Sequence, residues 1–205
     1  MRLVVATGNP GKASEFGRLL GRDFQVEALP AELELPAETG DTFAANALIK
    51  ARSIFAALAC ETAVLADDSG LSVYALGGRP GVWSARYAGE GAGDEANNRK
   101  LLDDLRGVSD RKARFVCALA LLLPGSRGPL GSPAGRLLVA EGVLEGSILE
   151  APRGNGGFGY DPVFRPEGWD KSLGEASPGE KDTVSHRARA VEALRGVMEN
   201  QGGRP

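Results

Sequence analysis

The first half of the chain alternates short apolar runs with helical patterns. Arg2–Thr7 is predicted to form a buried strand that ends in the turn "GNPG" at residues 8–11. A helix is expected over residues 10–21, followed by a second strand at Phe24–Leu29. Strand, helix and strand in this order are typical of a sheet that is covered by helices.

A loop, a long helix and a hairpin are predicted next. Residues 30–40 form an acidic loop with prolines, and Asp41 or Thr42 can cap the helix that follows. The apolar positions of this helix recur every three or four residues: Phe43, Ala47, Leu48, Ala51, Ile54, Phe55 and Leu58. Ala63–Ala66 is then expected as a strand with an acidic pair at its C-terminal end, and Leu71–Tyr74 as its hairpin partner.

Longer strands dominate the second half. We predict a helix, two long strands, a short strand and a final helix at residues 93–106, 113–123, 136–147, near Val163 and at 185–199. The segment 124–136, rich in glycine and proline, is expected to be a mobile hairpin tip. The pattern predicts an α/β fold, with a mixed sheet flanked by helices. Residues 1–200 would form one domain and residues 201–205 a flexible tail.

Composition and charge narrow the class of protein. The 205 residues are 42% hydrophobic and 25% charged, which is typical of a soluble globular domain. A net charge of −3 argues against a general nucleic-acid surface. The longest apolar run, Phe115–Leu123, has half of the roughly 18 residues that a membrane span requires. The N-terminus has no signal-peptide pattern, so we expect a cytoplasmic protein that does not bind a membrane.

Two adjacent carboxylates suggest a metal site. Asp67 and Asp68 follow an apolar run, and Glu38 in the acidic loop adds a third carboxylate. No basic residue flanks the pair, so we expect its charge to be uncompensated and to attract a cation. One histidine and two isolated cysteines do not form a zinc site, which leaves oxygen ligands and therefore Mg²⁺ or Mn²⁺. The alternative is a turn in which the aspartates are structural.

Two lysines lie in motifs that favour an anion. "ATGNPGKAS" is not a Walker A loop, because Ala6 stands where that loop has its first glycine. Lys12 nevertheless lies near a helix start, where backbone N–H groups favour phosphate. Lys50 lies four residues after Asn46, so the two share a face of the long helix. The alternatives are a capped helix with an exposed lysine and a solvated helix face.

A third candidate group lies near the C-terminus. The glycine-rich loop Gly154–Pro162 carries Phe158, whose ring can stack on a flat base, and Asp161, which can accept a hydrogen bond from a base or ribose. His186 and Arg187 open the last helix and suggest contact with an anion or a base. The alternatives are a glycine-rich turn around a core phenylalanine and a histidine that only caps or packs.

Six ordered motifs resemble the inosine triphosphate pyrophosphatase family, the dITP/XTP pyrophosphatases. They are "TGNPGK", "FAANALIKA", "LADDSGL", "LGGRPGVWSARYAG", "GGFGYDPVF" and "SHRARA", and the match runs from residue 3 to about residue 195. The resemblance implies an elongated mixed sheet with two lobes, a cleft between them, and a homodimer. It also implies hydrolysis of dITP, ITP and XTP to the nucleoside monophosphate and pyrophosphate with Mg²⁺.

The resemblance further implies a role for each motif residue. The triphosphate would be held by Thr7, Gly8, Asn9, Pro10, Gly11, Lys12, Lys50 and Ser69. The metal would be bound by Glu38, Asp67 and Asp68. Catalysis would rest on Lys50 and on Asp68, the proton acceptor for the attacking water. The base would be held by Phe158, Gly159, Tyr160 and Asp161, and its 6-oxo group would be read by Lys181, His186 and Arg187.

The chain departs from the family pattern at one position. Many relatives carry Glu before the asparagine of the helix motif, whereas this chain has Ala45, so we expect a reduced Mg²⁺ affinity.

Two rival functions fit part of the pattern. They are a Maf-like pyrophosphatase acting on modified pyrimidine nucleotides and a nucleotide-binding protein without catalysis. The glycine-rich loop and the motif "SHR" favour the purine family. The presence of all three carboxylates, Glu38, Asp67 and Asp68, favours an enzyme over a protein that only binds nucleotides.

Overall fold

In this computed structural model, the described residues are 1–125 and 135–200. They contain six strands and five α-helices. In chain order they are β1 Arg2–Ala6, α1 Pro10–Leu20, β2 Gln25–Ala28, α2 Phe43–Ala57, β3 Ala63–Val73, α3 Gly93–Asp104, β4 Lys112–Pro124, β5 Gly135–Ile148, β6 Phe164–Pro166, α4 Pro178–Asp182 and α5 His186–Asn200.

All six strands belong to one sheet, in the order β2-β1-β3-β4-β5-β6. β1 runs parallel to both β2 and β3, whereas β5 and β6 are antiparallel. The predicted mixed sheet is therefore confirmed. No helix of the described residues is both long enough and apolar enough to cross a bilayer.

The described residues fall into two compact units. The first unit takes residues 1–68, the described part of 117–142, and 187–200, and the second takes 69–116 and 143–186. The prediction that residues 1–200 form one domain stays a prediction.

The first unit buries both faces of its strands. Leu3 and Val5 of β1 pack in a cluster with residues of α1 and α5, such as Phe16. Val4 and Ala6 point to the opposite face and pack in a second cluster with residues of α2. Strands covered on both faces read as continuous apolar runs, which is why β1 is recognisable in the sequence.

The second unit has a core of its own. Leu71 of β3 and Leu101 of α3 are fully buried in it, as is Phe164 of β6. The rings of Phe115 and Phe164 lie 4.5 Å apart between centroids. This core supports α3 and the glycine-rich loop before β6, two elements of the site described below.

The predicted hairpin after residue 62 is wrong. Ala63–Val73 is one continuous strand, so the acidic pair lies inside a strand and not at its end. The prediction failed because two adjacent carboxylates in a buried strand are costly unless cations contact them, and these cations come from distant parts of the sequence. The short helix α4 was also not predicted.

The other elements agree with the prediction to within about two residues at each end. Thr42 is the cap of α2, and its side chain accepts a hydrogen bond from the N–H of Ala45 at 3.1 Å. Most of the predicted mobile hairpin tip and the whole predicted tail lie outside the described residues, since these exclude 126–134 and 201–205.

Candidate functional site

The turn after β1 is a capped helix start. The side chain of Asn9 accepts from the N–H of Lys12 at 3.1 Å, and the hydroxyl of Thr7 accepts from the N–H of Asn9 at 3.1 Å. The remaining residues of the turn are Gly8, Pro10 and Gly11. Lys12 is not the exposed lysine of the alternative interpretation, because its Nζ donates to Oδ2 of Asp67 at 2.8 Å.

Asp67 is fully buried within β3 and is surrounded by positive charge. Besides Lys12, the guanidinium of Arg187 approaches its Oδ2 to 4.0 Å, and Arg187 also contacts Glu15 at 3.3 Å. The prediction that the acidic pair is uncompensated is therefore wrong. The compensating cations lie far from Asp67 in sequence and close to it in the fold.

Asp68 faces the helix α2. The amide Nδ2 of Asn46 donates to its Oδ2 at 3.0 Å, and Nζ of Lys50 lies 3.6 Å from its Oδ1. Lys50 also donates to Glu38 at 2.5 Å, and Asn46 accepts from the N–H of Gly40 at 2.7 Å. Asn46 and Lys50 are thus buried neighbours on one helix face, as predicted, and that face is not solvated. Lys12, Glu38, Lys50, Asp67 and Asp68 are called the acid–lysine cluster below.

The two aspartates of the cluster have opposite pKa shifts. Burial disfavours the charged form of Asp67, but Lys12, Arg187 and Lys50 outweigh this and lower its pKa to about 2. Burial raises the pKa of Asp68 and Glu38 adds to this effect, while the charge of Lys50 and the hydrogen bond from Asn46 offset it only in part. Neighbouring carboxylates with divergent pKa values suit different roles, a permanent anion and a proton acceptor.

The ammonium of Lys50 stays charged in this setting. Burial opposes its charge, but the carboxylates of Asp67, Asp68 and Glu38 outweigh burial and raise the pKa of Lys50. Lys50 is therefore a permanently charged cation between the carboxylates of Glu38 and Asp68.

The chemistry of the cluster fits a magnesium-type ion. Among residues 1–125 and 135–200, no three or more His, Cys, Asp or Glu side chains are grouped to hold a metal. Glu38 and Asp68 nevertheless converge on the same ammonium, so two carboxylates are available at one point. Mg²⁺ is commonly bound by one or two carboxylates, with waters and substrate phosphates completing its shell.

The candidate residues for binding a base lie in the second unit, on the glycine loop. This loop is defined as Gly154–Pro162. Asp161 organises the loop, because its Oδ2 accepts from the N–H of Phe158 at 2.9 Å and from Nζ of Lys181 at 2.5 Å. Nζ of Lys181 lies 4.4 Å from the centroid of the Phe158 ring. Tyr160 is buried and donates to the backbone oxygen of Ser84 at 2.9 Å. Phe158, Asp161 and Lys181 thus contact one another, and their predicted roles toward a base stay predictions.

Glycine is required at one position of this loop. Gly157 has a φ of +71°, and a Cβ there would overlap the carboxylate of Asp161. Glycine at residue 157 therefore permits the close approach of the Asp161 side chain, which also binds Lys181.

His186 and Arg187, adjacent in the chain, have different surroundings. The ring of His186 is stacked on Phe115 with 4.7 Å between centroids, so it packs in the core of the second unit. Arg187 belongs to the first unit, where Glu15 and Asp67 are its neighbours. Ser69 follows Asp68 within β3 and is half-buried.

Three side chains of the site were not predicted from the sequence. Glu15 is buried and pairs with Arg187, although nothing in the pattern of α1 distinguishes it from a surface residue. Asp94 and Asn98 of α3 were not among the predicted site residues. Both contact Gly159 of the glycine loop.

Comparison with known proteins agrees with this architecture. The solved structure of the Staphylococcus aureus Ham1 protein matches with a TM-score of 0.81 at 37% identity, covering 98% of this chain and 100% of that one. This chain therefore has the same fold as the Staphylococcus aureus Ham1 protein. The chain belongs to the Ham1 family, which it matches over residues 3–197.

Curated relatives carry the name that the motifs predicted. The dITP/XTP pyrophosphatase of Bacillus licheniformis is 47% identical over 207 residues, which cover 96% of this chain and 97% of the relative. The dITP/XTP pyrophosphatase of Geobacillus kaustophilus is 49% identical over 197 residues, which cover 94% and 91%. The resemblance stated from six motifs is confirmed.

Proposed function

We propose that the protein hydrolyses non-standard purine nucleoside triphosphates, namely dITP, ITP and XTP, to the nucleoside monophosphate and pyrophosphate. This activity would remove such nucleotides from the nucleotide pool. The relatives' name supports the substrate class. The observation that carries the proposal is the acid–lysine cluster, in which Lys12 and Lys50 each contact one carboxylate of the Asp67–Asp68 pair.

The residues of the cluster supply what attack on a polyphosphate requires. Lys12 and Lys50 neutralise phosphate charge when they turn from the carboxylates to the substrate, and Lys12 does so beside the positive end of the α1 dipole. Asp68, whose pKa is raised by burial, accepts the proton of the attacking water. Asp67 remains an anion, which balances the charge of Arg187 and keeps Lys12 beside the start of α1 until Lys12 turns to the phosphate.

A divalent ion fits this arrangement. Mg²⁺, or Mn²⁺ in its place, would be held by Glu38 and Asp68, with Asp67 nearby, and would neutralise charge that develops on the phosphate oxygens. Lys50 now lies between Glu38 and Asp68, so it would have to move aside, which suits a group that contacts phosphate.

The glycine loop suits recognition of the base. Phe158 would stack on the purine, and Lys181 would donate to the 6-oxo group from its position beside the ring. Adenine carries an amino group at position 6, which would leave this donor unpaired. The resemblance also assigns His186 and Arg187 to the base, although His186 packs on Phe115 and Arg187 contacts Glu15 and Asp67. The geometry supports Lys181 most strongly, because it contacts both Phe158 and Asp161.

Substrate selectivity tests the proposed function. Purified protein with Mg²⁺ is expected to release pyrophosphate from dITP, ITP and XTP with a kcat/KM about 10²-fold or more above that for dATP, and well above that for dGTP. The measurement is steady-state pyrophosphate release for each nucleotide. Release of single phosphates, or equal rates for ITP and ATP, would contradict the proposal. A preference for modified pyrimidine nucleotides would favour the Maf-like alternative.

We also propose that the protein acts as a homodimer in the cytoplasm, as the family resemblance implies. Sedimentation velocity is expected to give a particle of twice the 21.4 kDa chain mass. A particle with the mass of one chain would contradict this assembly.

A further inference from the structure

Two side chains of α3 hold Gly159 of the glycine loop by its own backbone. Oδ2 of Asp94 accepts from the N–H of Gly159 at 2.6 Å, and Nδ2 of Asn98 donates to the C=O of Gly159 at 2.9 Å. Asp94 and Asn98 lie four residues apart and therefore on the same face of the helix. Both hydrogen-bonding groups of one residue are thus fixed by one helix.

Gly159 follows the aromatic residue that would stack on the base. Its φ is +62°, in the left-handed region that glycine enters readily. Glycine also has the most conformational freedom to lose, so its orientation depends on the bonds that hold it. Asp161 fixes the N–H of Phe158 on the other side. The backbone that carries the Phe158 ring is therefore held jointly by α3 and Asp161.

An open groove between α3 and the glycine loop increases the importance of these bonds. It has a volume of about 480 Å³, and its walls include Asp94, Asn98 and Phe158. Close packing ordinarily holds a loop in place, and a loop that borders an open groove lacks that restraint on one side. Hydrogen bonds to Gly159 then replace packing as the restraint.

We propose that Asp94 and Asn98 are positioning residues for base recognition, which act by holding the glycine loop so that Phe158 and Lys181 meet the purine. Neither side chain needs to touch the substrate. The inference rests on the proposed function and adds to it two residues that set how tightly the base is bound.

Kinetics of single variants test this role. Asn98→Ala and Asp94→Ala are each expected to raise the KM for ITP about threefold to tenfold, the range that loss of one hydrogen bond gives, with little change in kcat. The inhibition constant of inorganic pyrophosphate, which has no base, should stay at the wild-type value. Asp94→Asn keeps an acceptor oxygen and should restore most of the wild-type KM.

Asn97→Ala is the matched control. Asn97 is the buried neighbour of Asn98 on α3, but it bonds a different segment, accepting from the N–H of Ala88 at 2.8 Å and donating to the C=O of Ala85 at 3.1 Å. Its loss should lower the melting temperature about as much as Asn98→Ala while leaving the KM for ITP unchanged. An equal rise in KM for both variants, no rise for Asn98→Ala, or a parallel rise in the pyrophosphate constant overturns the proposal.

Amide hydrogen exchange separates this inference from the proposed function. The N–H of Gly159 should exchange faster in Asp94→Ala than in the wild-type protein or in Asp94→Asn, whatever the substrate proves to be. Unchanged exchange overturns the role of Asp94 in holding the loop. Absence of pyrophosphate release from ITP by the wild-type protein would instead overturn the proposed function.

Discussion

Asp68→Asn is expected to lower kcat for ITP by about 10²- to 10⁴-fold, the contribution of a general base. The amide cannot take the proton of the attacking water, yet it has the shape of the carboxylate and can still accept the hydrogen bond from Asn46. The fold should therefore persist, and nucleotide binding should remain measurable. Steady-state pyrophosphate release at saturating ITP and Mg²⁺ gives the value of kcat.

Asp23→Asn provides the control for this variant. Asp23 belongs to the same unit and contacts the guanidinium of Arg195 at 2.6 Å, but it lies outside the acid–lysine cluster. The kcat of the Asp23→Asn variant should equal that of the wild-type protein. If Asp68→Asn kept kcat within threefold of wild type, Asp68 would not be the proton acceptor.

Asp67→Ala is expected to lower the free energy of unfolding by about 3–5 kcal/mol, the usual cost of removing one partner of a buried ion pair. The side chain of Asp67 is fully buried, and those of Lys12 and Arg187 are 15% and 4% exposed. Its removal leaves two nearly buried cations without their shared carboxylate. Urea denaturation followed by far-UV circular dichroism measures the change.

The pH dependence of stability should change in the same variant. The pKa of Asp67 is about 2 in the folded protein against an ordinary value of 3.8. Its stabilising contribution is therefore present above about pH 4 and is lost as the pH falls towards 2. The wild-type protein should lose stability over this range by more than Asp67→Ala does.

An exposed ion pair supplies the comparison for the Asp67 variant. Glu27 contacts Arg2 at 2.7 Å, but the side chain of Arg2 is 64% exposed, so solvent screens the pair. Glu27→Ala should leave the urea midpoint almost unchanged. Equal, small effects of Asp67→Ala and Glu27→Ala would show that the cluster does not stabilise the fold.

The order of strands and helices could be predicted because hydrophobic periodicity is a local signal. β1 and β4 are covered on both faces in the first unit and read as unbroken apolar runs, and α2 has apolar residues at helical spacing. β3 was divided wrongly, because the residues that make its two aspartates tolerable are not local. Lys12 lies 55 residues from Asp67 in the sequence.

The motifs of the site could also be predicted, but its contacts could not. Sequence spacing identified Lys12, Lys50 and Asp68 as candidates, and the fold determines which lysine meets which carboxylate. The resemblance named Gly159 as one of the residues around the base, whereas the role of Asn98 depends on where α3 lies in the folded unit. Such pairings follow from tertiary packing and leave no periodic signal in the sequence.

Hydrolysis of ITP in H₂¹⁸O tests the central claim most directly. The claim is that the acid–lysine cluster directs a water molecule onto the α-phosphorus of the nucleotide. Mass spectrometry of the two products locates the heavy oxygen. The account predicts that the label appears in inosine monophosphate and that pyrophosphate stays unlabelled. Label in pyrophosphate or in free phosphate would contradict it, because the water would then have attacked another phosphorus.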